Sequence, residues 1–114
     1  MEDYIEMIYR KTDNNKEITI KHLSESLNVK PSSVSKMANK LKLLDFINFE
    51  KYGQITLTEK GVYLGRYLLY RHNILKKFFT KLNKERYKLE QVEKIEHFID
   101  YETISNIEKL LNKI

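Results

Sequence analysis

The sequence contains no cysteine and no tryptophan, and only one proline and three glycines in 114 residues. Without cysteine there can be no disulfide, no thiolate metal site and no thiol nucleophile, so any metal must be held by oxygen and imidazole nitrogen. Few helix breakers, together with 32% charged residues, suit a mainly helical globular chain rather than a disordered one. No apolar run approaches the roughly 20 residues needed to cross a bilayer, and Met1 to Arg10 lacks the apolar core of a signal peptide. The expected setting is therefore cytoplasmic, with no membrane partner. A Gly-rich phosphate loop and a His-Glu-x-x-His motif are both missing, and a ferritin-like Glu-x-x-His would need an acid where Lys94 stands. No serine or threonine has an evident base partner. The chain is expected not to be an enzyme and to take no small organic ligand.

Charge is present but unevenly placed. The formal net charge of +5 is modest, yet Val29 to Leu43 holds Lys30, Lys36, Lys40 and Lys42 with no acid. Glu90 to Glu102 instead carries Glu90, Glu93, Glu96, Asp100 and Glu102 against Lys94. The first segment suits phosphate and the second suits cations. The length limits the chain to one modest core, or a small domain with a helical extension, so a second copy would be a useful source of further burial.

Apolar residues recur at helical spacing from Glu2 to about Lys11 (Tyr4, Ile5, Ile8, Tyr9) and, after a polar turn over Thr12 to Lys16, from Ile20 to Leu27. Asn28 is a suitable left-handed stop, and Pro31 a suitable first residue for a helix of about 13 residues lined by Val34, Met37, Ala38, Leu41 and Leu44. Two short helices joined by a tight turn read as a helix-turn-helix. From Phe46 to Thr58 apolar and polar residues alternate around Tyr52-Gly53, a hairpin that would form a wing. Thr58-Glu59-Lys60 starts a long helix to about Lys81. One of its apolar faces holds Leu64, Leu68, Leu75 and Phe79, and the other Tyr63, Tyr67, Tyr70, Ile74 and Phe78, so it should pack against two bodies. Lys84 to Ile99 reads as a further helix, and Thr103 as the cap of a last one whose Ile104, Ile107, Leu110, Leu111 and Ile114 form a stripe resembling a dimer seam. The expected architecture is mainly α: a winged helix-turn-helix of three helices and a β-hairpin at 1–61, then a helical dimerisation segment at 62–114. The long helix from about residue 59 links them.

Asp3 and Glu6, spaced i, i+3, project from one side of the first helix, and Glu93, Glu96 and His97 share one arc of a later one. Each group alone also reads as a solvated face, with Glu6 paired to Arg10, and His72 alone also reads as a packed core histidine. His22 and the tyrosines are read as structural. Together the six give four carboxylates and two imidazoles from three helices, a ligand set for one or two hard to borderline divalent ions. On the recognition helix, Lys30, Ser32, Ser33, Ser35, Lys36 and Lys40 offer hydroxyls and cations to phosphates and base edges, with Lys51, Tyr52 and Gln54 at the wing tip. The alternative is that the serines cap the helix and the lysines keep it soluble.

Five segments carry a resemblance: Met1-Glu-Asp-Tyr-Ile-Glu-Met-Ile-Tyr, Lys30-Pro-Ser-Ser-Val-Ser-Lys-Met, Tyr52-Gly with Leu57-Thr-Glu-Lys-Gly, Tyr70-Arg-His, and Glu93-Lys-Ile-Glu-His. In this order and spacing they resemble the diphtheria toxin repressor family of metal-dependent regulators, specifically its manganese transport regulator branch. The resemblance implies two Mn²⁺ per chain, held by Asp3, Glu6, His72, Glu93, Glu96 and His97, with Fe²⁺, Co²⁺, Zn²⁺ or Cd²⁺ as substitutes. Acids at positions 3 and 93 favour the manganese branch over iron-responsive relatives. It also implies a homodimer that binds a palindromic double-stranded operator and represses metal-uptake genes. Compared with longer members, the sequence ends at Ile114 without their SH3-like domain. Two other readings remain: a winged-helix regulator that answers to something other than metal, and a dinuclear metallohydrolase, for which no pocket or base is evident.

Overall fold

The computed structural model describes residues 1–12, 17–50, 53–86 and 88–114. They form two compact units, Met1–Tyr67 and Leu68–Ile114. In the first, α1 (Glu2–Lys11) has Glu2 and Asp3 in its first turn and Arg10 and Lys11 in its last, each matched to the helix dipole, and it buries Ile5 and Ile8. The second helix, α2 (Ile20–Leu27), begins where the Thr19 hydroxyl accepts the His22 N–H at 3.1 Å, and stops at Asn28 with φ 55°. After the short turn, α3 (Pro31–Leu43) starts with proline in its first turn and buries Val34, Ala38 and Leu41. Its end is a Schellman closure: Asp45 takes φ 65°, and the Phe46 and Asp45 N–H groups donate to Leu41 and Lys42 carbonyls at 3.0 Å. The helix-turn-helix expected from the sequence is present.

The sheet has one strand more than expected. Strands β2 (Ile47–Phe49) and β3 (Gln54–Leu57) pair antiparallel with Ile47 opposite Leu57 and Phe49 opposite Ile55, giving the wing hairpin. Gly53 supplies φ 74° at its turn, while Lys51 and Tyr52 lie outside the described residues. A two-residue strand β1 (Ile18–Thr19) pairs antiparallel with the other edge of β3, through Ile55 and Gln54, so the order is β1-β3-β2. Two residues are too few to show an alternation, which is why this strand leaves no mark in the sequence pattern. The expected polar turn overlaps residues 13–16, which also lie outside the described residues.

The long helix α4 (Glu59–Leu82) runs across the boundary between the units. In the first unit, the Thr58 hydroxyl accepts the Gly61 N–H at 3.1 Å and donates to the Asp45 carbonyl at 2.6 Å, while Lys60 Nζ donates to the Leu44 carbonyl at 2.8 Å. A Cβ on Gly61 would stand 2.1 Å from the Phe46 carbonyl oxygen, and one on Gly65 2.7 Å from the Tyr9 ring, so both glycines permit close backbone approach. In the second unit, Ile74 and Leu75 form a core with Val92 and Ile104, flanked by Tyr70, Phe79, Ile99, Ile107 and Leu111. The expectation that its two apolar faces pack against two bodies is corrected: Tyr70 and Ile74 of one expected face and Leu75 and Phe79 of the other enter the same core, and the helix passes from one unit to the other along its length. Of its proposed tyrosine face, Tyr63 is 77% exposed.

Three expectations for the second unit are corrected. No single helix covers Lys84 to Ile99. Lys84 and Glu85 adopt φ 58° and 69°, and Glu85 N–H closes back on the Thr80 carbonyl at 2.6 Å, ending α4 with a left-handed cap. The next helix, α5, covers only Leu89–Ile95 and tightens into a 3₁₀ turn, Glu96–Phe98. The last helix, α6 (Tyr101–Leu111), is capped by Asp100 rather than Thr103: the Asp100 carboxylate accepts the Thr103 N–H at 2.8 Å. Its apolar stripe is divided. Ile104, Ile107 and Leu111 enter the unit's own core, while Leu110 and Ile114 stay exposed.

Candidate functional site

His72 lies in α4 and Glu96 and His97 in the 3₁₀ turn, and the core of the second unit brings these elements together. His72 Nδ1 is 3.0 Å from Glu96 Oε2, and His97 Nε2 is 3.8 Å from Glu96 Oε1. Glu96 is 3% exposed, with each carboxylate oxygen directed at a different imidazole. The His72 Nδ1 and Glu96 Oε2 atoms are at hydrogen-bond distance, the arrangement in which a carboxylate orients a histidine whose other ring nitrogen faces outward. On the far edge of the His97 ring, the Arg71 guanidinium donates to Nδ1 at 3.2 Å.

The remaining candidates are placed as follows. Glu93 is on the exposed side of α5, one turn before Glu96. Asp3 is exposed on α1, and Glu6 accepts from Arg10 at 2.7 Å, the i, i+4 pair that was the structural alternative. These two belong to the first unit and His72, Glu93, Glu96 and His97 to the second. Among the described residues, no group of three or more histidine or acidic side chains stands in a metal-holding arrangement. The donor chemistry nevertheless fits a divalent cation: a buried carboxylate between two imidazoles supplies oxygen and nitrogen without sulfur.

In the first unit Lys30, Ser32, Ser33, Lys36 and Lys40 are exposed and Ser35 is half-buried. The residue preceding α3 is Lys30, which makes no side-chain cap bond. The serines thus lie within the helix rather than at its cap, against the capping alternative. Gln54, the wing residue adjoining the turn, is exposed. Asn39, not singled out from the sequence, shares the exposed stripe of Ser32, Lys36 and Leu43, the last 88% exposed. Arg71 was also passed over. Its signal was a charge at helical spacing within the apolar face of Leu64, Leu68 and Leu75, where it is 4% exposed.

Two family models together cover nearly the whole chain: residues 1–55 match the iron dependent repressor N-terminal DNA binding domain, and residues 58–114 the iron dependent repressor metal binding and dimerisation domain. The chain belongs to the iron-dependent repressor family. Among solved structures, the manganese regulator SloR is similar at 28% identity and TM-score 0.82, over 97% of this chain and 53% of its own. The metal-dependent transcriptional regulator MtsR matches at 26% identity and TM-score 0.85, again over 97% and 53%. ScaR, solved with bound Zn²⁺, matches at 25% identity and TM-score 0.81 with the same coverage. The chain thus spans about half the length of these relatives. The resemblance to the diphtheria toxin repressor family, on its manganese regulator side, is borne out, as is the mainly α winged helix-turn-helix fold. Among the described residues no helix is long and apolar enough to cross a membrane.

Proposed function

We propose that this iron-dependent repressor family member is a manganese-responsive, DNA-binding transcriptional repressor, not an enzyme, acting as a cytoplasmic homodimer on a palindromic operator of metal-uptake genes. The observation that carries the metal half of this reading is the buried Glu96 carboxylate facing His72 and His97. Residues 1–61 are the DNA-binding half, and 62–114 the metal-binding and dimerising half. Asp3, Glu6, His72, Glu93, Glu96 and His97 would hold two Mn²⁺ per chain, with Fe²⁺, Co²⁺, Zn²⁺ or Cd²⁺ as substitutes; binding would neutralise clustered acids and supply a fixed positive charge. Lys30, Ser32, Ser33, Ser35, Lys36 and Lys40 of the recognition helix, with Lys51 and Tyr52 of the wing, would meet DNA. Four of the ligands lie on or next to the C-terminal elements and two on α1. Metal loading would restrict conformational freedom, and operator binding would then cost less ordering. Such coupling is commonly about 1 to 3 kcal/mol, or roughly 5- to 150-fold in affinity.

Titrating metal-free protein with Mn²⁺, with free ion followed by electron paramagnetic resonance, tests this reading against a Glu93→Ala, His97→Ala double variant. Uptake of two ions per chain, lost in the variant, is expected. No uptake at micromolar metal would leave a winged-helix DNA binder with a different signal.

A further inference from the structure

We propose that Asn39 is the base-reading residue of the recognition helix and that, with Leu43, it selects an A·T element in the operator half-site. The carboxamide pairs with adenine, and the leucine packs on a thymine methyl. The inference rests on the DNA-binding reading above and deepens it. Val34, Ala38 and Leu41 are buried on one side of α3. At 3.6 residues per turn, Asn39 and Leu43 fall about 40° apart on the opposite side, with their Cβ atoms about 5 to 6 Å apart. Both are exposed, Leu43 to 88%, and the Asn39 carboxamide has no partner among the described residues. The helix holds no Arg, Gln, Asp or Glu, so it offers neither the guanidinium fork that grips guanine nor a carboxylate to accept from cytosine. Asn39 alone on α3 presents a donor and an acceptor side by side on two atoms, the pair that meets adenine N7 and N6 in the major groove. Lys36 and Lys40 flank it and supply the charge that brings this face to phosphate. Leu43 is the apolar counterpart. A large apolar side chain left in water on a basic face gains by covering the C5 methyl of thymine, which an A·T element supplies. The four-residue step from Asn39 to Leu43 advances about 6 Å along the helix, close to two base-pair steps of about 3.4 Å, so the thymine lies within about two pairs of the adenine.

The probe is a randomised DNA duplex library, from which the full chain, with and without Mn²⁺, selects its preferred half-sites. The wild type should select a half-site with an invariant A·T pair. Replacing that adenine by 7-deazaadenine, which removes the N7 acceptor, should weaken binding about tenfold, equivalent to roughly 1.4 kcal/mol. Asn39→Ala, in which alanine suits the exposed helix position, should bind the selected site about tenfold less tightly and no longer distinguish adenine from 7-deazaadenine. Leu43→Ala should no longer distinguish thymine from uracil, which lacks the methyl. An Asn39→Ala protein that keeps the adenine preference, or that weakens on all sequences alike, would overturn the base assignment while leaving the DNA-binding reading in place. If Leu43→Ala keeps the thymine preference, the leucine serves a protein contact instead and that half of the proposal fails. If the wild type selects no sequence under either condition, the repressor reading and the base assignment fall together.

Discussion

At the scale of single residues, Asp100 illustrates how a small exposed contact sets a boundary. Its carboxylate accepts the Thr103 backbone N–H and also interacts with the Thr103 side chain, and these hydrogen bonds hold its pKa below the ordinary value. A lowered folded-state pKa adds stability that is fully present above the unfolded value and is lost as pH falls through the folded one. Asp100→Ala should therefore lower the melting temperature at neutral pH. The gap between wild type and Asp100→Asn, which keeps an N-cap acceptor without the charge, should shrink below about pH 4. Melting curves across that range check both. Gly61 gives a prediction of the opposite flavour. Alanine normally stabilises a helix relative to glycine by about 1 kcal/mol, but here the added methyl would lie 2.1 Å from the Phe46 carbonyl oxygen. Gly61→Ala should instead destabilise by about 2 kcal/mol or more, measured by urea unfolding.

At the scale of elements, legibility followed the strength of local punctuation. The end of α2 and the start of α3 were readable because Asn28 and Pro31 are residues with a fixed mechanical use at helix ends, whereas the Thr19 cap of α2 was not singled out. The end of α4 near Lys81 was readable, but the left-handed cap at Lys84 and Glu85, which delays the next helix to Leu89, was not, since neither residue prefers positive φ. The strain there is testable: Lys84→Gly should stabilise by about 0.5 kcal/mol, because glycine enters the left-handed region without a Cβ penalty, partly offset by its greater unfolded-state freedom. Denaturant midpoints would show it, and a loss of stability would mean that the Lys84 side chain matters more than its backbone. The stripe on α6 was ambiguous for another reason. Residues at i, i+3 and i+7 look alike whether they face a partner or the chain's own core, and only the fold assigns Ile104, Ile107 and Leu111 to the latter. Of the candidate metal ligands, spacing predicted that Glu96 and His97 would be neighbours, but no local pattern could reveal that His72 of α4 would meet them.

At the scale of the whole molecule, electrostatics separates what the two halves of the chain can attract. The exposed lysines Lys30, Lys36 and Lys40 surround a recognition helix with no acid, and each phosphate they neutralise should release counterions. Replacing Lys36 or Lys40 by alanine should weaken DNA binding across sequences and reduce the logarithmic salt slope by about 1 per lost phosphate contact. Ser32, Asn39 and the exposed Leu43 lie along the same face. A change there that alters affinity for one operator variant and not another would mark base readout rather than backbone contact. Fluorescence anisotropy over a salt series separates these effects.

The two-residue strand β1 changes what kind of object the wing is. A lone two-stranded ribbon is only marginally stable in water, but here β3 is flanked on both sides, by β1 along one edge and β2 along the other, and it also packs against α1. The wing is thereby built into the frame of the first unit rather than hung from it. A shift of α1, the helix that carries Asp3 and Glu6, is delivered to the wing through β3 without first passing through the recognition helix. In hydrogen-exchange terms, the β3 amides should open together with those of α1, as parts of one cooperative piece.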